Sequence, residues 1–192
     1  DALSRLTSAD YTEDGQVHYK YDTRYSYDLM GNMLSLQRNG RQDDGDYGAI
    51  DDVTFSYSGN QLVKADDDAV DPTYAGAFNF VDGSDADVEY EYDQNGNMTK
   101  DLNKNISSIQ YNSLNLPSRI TYSDGRMAEY VYSAAGAKLS TTYTNGLTTT
   151  GNVYCGNMIY ENGTLKQILV DGGYITFNGT TPTYRFYLKD IS

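Results

Sequence analysis

A short tyrosine-containing phrase returns along this chain, and a chain built on one repeated phrase has few folds open to it. Tyr25-Ser26-Tyr27-Asp28-Leu29-Met30-Gly31-Asn32 recurs as Tyr90-Glu91-Tyr92-Asp93-Gln94-Asn95-Gly96-Asn97. It recurs more loosely as Tyr130-Val131-Tyr132-Ser133 with Gly136. Shortened copies read Tyr57-Ser58-Gly59-Asn60 and Tyr154-Cys155-Gly156-Asn157, and Tyr111-Asn112 keeps the Tyr and an Asn without the Gly. Equivalent tyrosines are 19 residues apart from Tyr92 to Tyr111, 21 to Tyr132 and 22 to Tyr154. The earlier steps, Tyr27 to Tyr57 and Tyr57 to Tyr92, are 30 and 35 residues. The excess falls in two acidic stretches, about 41–52 and 65–87. We read a unit of about 20 residues with two insertions at loop positions, where repeat arrays tolerate them.

Within a unit the hydrophobic period is two. Val53, Phe55 and Tyr57 alternate with Thr54 and Ser56; Val88, Tyr90 and Tyr92 with Glu89 and Glu91; Ala128, Tyr130 and Tyr132 with Glu129 and Val131; Tyr184, Phe186 and Leu188 with Arg185 and Tyr187. Alternation over about five residues places one set on one face of a sheet. Tyr, Thr, Val and Ile suit such a surface, and no stretch of about ten residues keeps a 3.6 period. Asp93 is expected to open a type I turn by accepting backbone hydrogen bonds. Gly96 then takes the left-handed position that closes a bulged hairpin, and Asn97 satisfies exposed backbone as the return strand begins. Further tight turns are expected at Ser123-Asp124-Gly125, Thr144-Asn145-Gly146, Glu161-Asn162-Gly163 and Asp171-Gly172-Gly173. The fold class is therefore all-β: tandem antiparallel β-hairpins forming a twisted, curved single-sheet array over residues 1–192.

Composition narrows the partners. Against 27 acidic residues stand 14 Lys and Arg, a net charge of −13. A phosphate backbone needs a basic face, so no nucleic-acid partner is expected, nor an anionic membrane surface. No apolar run approaches the length of a membrane span, so no membrane insertion is expected. One His and one Cys exclude an internal disulfide and a Cys/His zinc site. Asp1 reads as a cut point, which makes the chain a fragment of a larger protein.

These residues resemble the RHS/YD-repeat family, whose repeat is Tyr-Asp-x-x-Gly-Asn with an aromatic two positions before the Tyr. Tyr27-Asp28 with Gly31-Asn32, and Tyr92-Asp93 with Gly96-Asn97, match it in full; the copies at 57, 111, 132 and 154 match in part. The resemblance spans about residues 19–160, and 174–192 looks like the start of a segment leading into the RHS-associated core. The family implies a large bacterial surface or secreted protein, hence an extracellular location. Its hairpins stack into a spiral sheet, a shell that in many members encloses a C-terminal toxin. Some members carry a self-cleaving Asp-Pro-x-Gly core. Asp71-Pro72-Thr73-Tyr74 lacks that Gly, so neither self-cleavage nor a toxin is carried over.

The repeat residues Tyr27, Asp28, Gly31, Asn32, Tyr57, Gly59, Asn60, Tyr92, Asp93, Gly96, Asn97, Tyr111, Asn112, Tyr132, Gly136, Tyr154, Gly156 and Asn157 are read as structural. The Tyr-x-Tyr stripes could stack sugars, but a scaffold uses every copy and a binding site needs one place. Acidic loops supply weak calcium candidates, Asp44, Asp46, Asp82, Asp85 and Asp87; hard oxygen donors around a Gly suit calcium. The loops do not fit the helix-flanked pattern, so no cofactor is assigned. Cys155 is expected to be a spare buried thiol, and His18 to sit on a strand surface. No catalytic residue is singled out, and no enzymatic role is expected. The reading is a non-catalytic structural module with neighbouring repeats as partners and self-association through sheet edges. The alternative is a surface module binding carbohydrate or a cell-surface protein. One cleft where several tyrosines converge would favour that alternative.

Overall fold

The computed structural model describes residues 1–43, 45–74 and 76–187. They form strands and turns, with no helix among the described residues. The chain is all-β and built from consecutive antiparallel hairpins. It divides into two compact units, 1–105 and 106–192.

The first unit opens with β1 (Ser8–Ala9) and a small hairpin, β2 (Thr12–Glu13) and β3 (Gln16–Val17). Then come β4 (Thr23–Tyr27), β5 (Met33–Arg41), β6 (Tyr47–Ser58) and β7 (Gln61–Asp67). These make one sheet in the order β1-β4-β5-β6-β7. Of the stretch 41–52, Arg41 ends β5 and 47–52 open β6, with Arg41 paired to Tyr47 at the tip end of the long β5–β6 hairpin. The described residues of 68–89 carry no strand. They fold back along the sheet: Arg38 donates to the Phe78 carbonyl, Phe80 N–H donates to Asp51, and Asp67 N–H donates to Asp82. A hairpin of β8 (Tyr90–Tyr92) and β9 (Met98–Asp101) completes the unit.

Val53, Ala65 and Tyr90 form its buried core, with Leu36, Phe55, Leu62, Phe80, Tyr92 and Met98 packed around them. The expected alternation at 88–92 is corrected here. Val88 is exposed and Glu89 is fully buried. Residue 89 lies ahead of β8, where its N–H donates to the Val63 carbonyl at 2.8 Å and turns its side chain inward. Glu89 Oε2 accepts from Ala65 N–H (3.0 Å) and Asn103 Nδ2 (2.8 Å), while Oε1 has no partner among the described residues.

The second unit runs β10 (Ile106–Tyr111), β11 (Pro117–Tyr122), β12 (Met127–Tyr132), β13 (Lys138–Asn145), β14 (Thr148–Cys155), β15 (Met158–Glu161), β16 (Thr164–Val170), β17 (Gly173–Asn178) and β18 (Thr181–Phe186). Each pairs antiparallel with the next in sequence. Its buried apolar residues among those described are Ile106 and Ala128. With so thin a core, cross-strand pairs, each contributing roughly 0.2–1 kcal/mol, carry much of the stability. The expected inward face of 184–188 is corrected: all six residues of β18 are exposed, and among the described residues β17 alone flanks it; Leu188 lies outside the described residues.

Candidate functional site

The repeated phrase builds one turn geometry. Five times, residue i donates its N–H to the carbonyl of i+4 and residue i+3 donates back to the carbonyl of i: 28–32, 93–97, 112–116, 122–126 and 133–137. The residue at i+3 has positive φ each time, as in Gly31 (+95°) and Gly96 (+81°). At 115, where Gly is missing, Asn takes that place at +57°, the substitution that left-handed backbone best tolerates. Register shifts just before the loop, at Tyr27, Tyr92, Tyr111 and Tyr132, place the extra residue of a β-bulge on the return strand opposite, at Leu34, Thr99, Ser118 and Leu139.

The repeat carboxylates and amides face inward on their own turns. Asp28 Oδ1 accepts from the N–H groups of Met30 and Asn32, both at 2.8 Å, and Oδ2 accepts from Asn32 Nδ2. Asp93 does the same with Asn95 and Asn97. The Asn32 and Asn97 side-chain donors, then the backbone N–H groups, hold both carboxyls below the usual aspartate range. Asn112 replaces Asp with its amide oxygen, accepting from Leu114 and Leu116, and Ser133 with its hydroxyl, accepting from Ala137. The shortened copies make a different turn. Ser58 pairs with Gln61 and Cys155 with Met158, leaving two-residue loops, Gly59-Asn60 and Gly156-Asn157, with Gly at positive φ in first place. Asn32 Nδ2 also reaches Asn60 Oδ1 at 3.2 Å, which ties two turns together.

The repeat tyrosines brace neighbouring chain. Tyr27 donates its hydroxyl to the Leu6 carbonyl and Tyr57 to that of Met33 (2.8 Å). Burial pushes the phenols of Tyr57 and Tyr92 up. Tyr132 and Tyr154 are half-buried on their strands.

The remaining candidates are scattered. Asp46, Asp85 and Asp87 are exposed, and Asp82 accepts from Asp67 and Ser84 N–H. Asp44 lies outside the described residues. Asp67, Asp71, Asp82 and Asp85 line a shallow acidic cleft, but no group of three metal-ligating side chains among the described residues is placed to hold an ion. Cys155 is exposed, a correction to its expected burial: it ends β14 at the rim of a two-residue turn. His18 follows β3 and is exposed.

Sequence reasoning missed a cleft of about 420 Å³ in the first unit, lined by Tyr21, Tyr47, Tyr74, Arg41, Asn39 and Thr23 among others. The three tyrosines are 47, 38 and 40 % exposed. Tyr21 is the second tyrosine of a Tyr-x-Tyr-Asp phrase, Tyr19-Lys20-Tyr21-Asp22, whereas Tyr47 and Tyr74 belong to no such phrase. Tyr21 precedes β4, Tyr47 begins β6 at the hairpin tip, and Tyr74 comes from the segment that folds back. Thr73 Oγ1 and Tyr74 N–H both donate to the Gln42 carbonyl and fix that segment to the tip. Tyr21 packs edge-on against Tyr11 and Tyr47, centroids 5.0 and 5.4 Å apart, and its hydroxyl bonds that of Tyr47 at 3.4 Å. That bond, then burial, pushes the Tyr21 phenol up. The Arg41 guanidinium lies 4.5 Å from the Tyr74 ring centroid. Gly40 forms part of the floor; a Cβ there would come within 2.6 Å of Ile50 Cδ1. The signal was two tyrosines, Tyr47 and Tyr74, inside the insertions and outside the repeated phrase.

No protein-family model and no curated protein matches the chain. Among solved structures, it is similar to a chain in the crystal structure of TcdB2-TccC3-Cdc42, with TM-score 0.47 and 14 % identity over 99 % of this chain and 11 % of that one. A chain in the crystal structure of TcdB2-TccC3-TEV gives TM-score 0.39 and 14 % identity over 96 % and 12 %. The present chain thus spans a small fraction of the length of both. No helix among the described residues is long and apolar enough to cross a membrane.

Proposed function

We propose that this chain is a non-catalytic structural module, an arc of β-shell in a secreted or cell-surface bacterial protein of the RHS/YD-repeat kind. The observation that carries the reading is the turn geometry repeated at 28, 93, 112, 122 and 133. Each Asp, Asn or Ser at the head of four of these turns is occupied by its own turn's backbone. Residues so engaged serve closure of the hairpin. Their repetition supports a wall that grows by adding hairpins, as in other quasi-one-dimensional arrays. The motif resemblance supplies the shell and the extracellular setting.

Cryo-electron microscopy of the natural full-length protein tests the reading. The expected result is a closed wall that contains these hairpins as one arc. A free-standing rod, or hairpins buried inside an enzyme domain, would overturn it. Protease treatment of intact cells tests the location: the segment should be cut or released without lysis.

A further inference from the structure

The tyrosine cleft is completed by Tyr47 and Tyr74 from the two insertions, where the first unit departs from its repeat, and this makes it a different kind of feature from the stripes. A stripe recurs with every hairpin and braces the next. Among the described residues the cleft is made once, by the start of β4, the β5–β6 tip and the segment pinned to it through Gln42. We propose that it binds a neutral pyranose sugar, a ligand that the scaffold reading neither requires nor provides.

Two features of the lining argue for that class. First, exposed parts of three phenol rings converge with hydrogen-bonding groups in one concavity. Asn39 gives its Nδ2 to the Tyr19 carbonyl (2.8 Å) and keeps Oδ1 as an acceptor, and Thr23 and the tyrosines bring hydroxyls. A pyranose has C–H faces that suit aromatic rings and a rim of hydroxyls that suits such groups. The volume lies within the range of small-molecule sites, about 300–1,000 Å³. Second, the cations of the cleft are engaged. Arg38 is paired with Asp51 and donates to the Phe78 carbonyl. Arg41 lies over Tyr74 and donates to the Asp43 carbonyl. On a chain of net charge −13, an anionic sugar would meet repulsion at long range, and the two arginines lining the cleft already direct donors to other partners.

The test uses the whole chain and the methyl pyranosides of glucose, galactose, mannose and N-acetylglucosamine, read by saturation-transfer NMR and titration. At least one should show transfer. Tyr74→Ala removes a wall, and Ala77→Phe fills the cleft without removing a contact group; each should weaken affinity about tenfold or more. Tyr184→Ala, an exposed tyrosine on β18, should leave it unchanged. Circular dichroism of each variant checks that it is folded, and because the two cleft variants act in opposite ways, one folded variant suffices. The proposal is overturned by no transfer from any of the four sugars, by equal loss in Tyr184→Ala, or by tighter binding of methyl glucuronide. None of these outcomes bears on the shell reading.

Discussion

Gly96 and Asn115 occupy the same place in two copies of one turn, at φ +81° and +57°. A Cβ at Gly96 would meet nothing within 4 Å, so the cost of a side chain there is conformational and not steric crowding. Gly96→Val should therefore destabilise by about 1 kcal/mol or more, because a β-branched residue resists positive φ. Gly96→Asn should cost clearly less, as Asn115 already shows the residue in that role. Denaturant midpoints of the two variants check this; equal midpoints would refute the turn assignment. Glu89 gives the second prediction at this scale. Burial, with Asp82 and Asp66 adding to it, raises its carboxyl above the usual glutamate range against the opposing bonds from Ala65 and Asn103. The native state thus holds the proton more tightly than the unfolded chain. Its contribution to stability is whole below the ordinary glutamate value and is lost as pH rises through the raised one. Asp28 and Asp93 act oppositely, losing their contribution as pH falls through their lowered values. The difference between wild type and Glu89→Gln isolates the first effect: the variant's melting temperature should exceed the wild type's at pH 7 and converge toward it in acid. A constant gap across pH would refute it.

At the scale of the element, β17 meets β18 where Gly173 pairs with Phe186. A Cβ at Gly173 would stand 2.1 Å from the Arg185 carbonyl oxygen, whereas one at Gly172, φ +75°, would meet nothing. Gly173→Ala must push the strands apart, and amide exchange in 181–186 should rise sharply. Gly172→Ala should cost about 1 kcal/mol globally yet leave β18 protected. Equal exchange in the two variants would refute the clash. Most of the elements were legible in the sequence. Turn residues are local, and Asp93 or Gly96 makes its own bonds within five positions, so the motif alone specifies them. What escaped was set by distant chain. Glu89 reads as the solvent-facing member of Val88-Glu89-Tyr90, and bonds to Val63, Ala65 and Asn103, all distant in sequence, hold it inward. Tyr21, Tyr47 and Tyr74 are ordinary loop and strand-end tyrosines until the 68–89 segment is laid on the hairpin tip. No period or motif encodes that fold-back. Cys155 was misplaced for a related reason: a thiol prefers burial on average, but the two-residue turn beside it leaves nothing to cover it.

At the scale of the molecule, the question is what keeps an open sheet from pairing with another copy. β18 is the last strand of its sheet among the described residues and pairs only with β17. Its residues are exposed throughout, with Tyr184 at 63 % and Phe186 at 75 %. An edge of Thr and aromatic residues is a surface on which strands add, and β18 carries Pro182 near its start and one charge, Arg185, to discourage it. Against this acts the net charge of −13: two copies repel before their edges meet. That repulsion is screened over about 30 Å at 0.01 M salt but about 8 Å at 0.15 M, whereas strand pairing and ring contact are short-ranged and survive salt. Association should therefore be weak at low ionic strength and grow with both salt and concentration. Light scattering of the chain across a salt series should show the mean mass rising toward a dimer. The double substitution Tyr184→Lys with Phe186→Lys should hold it at the monomer, since lysine on an edge strand blocks pairing. The two added charges also lower the net repulsion, so charge alone would predict more association in the variant, and edge pairing predicts less. A monomer at all salts, or a variant that associates more than the wild type, would show that the edge is not the adhesive surface.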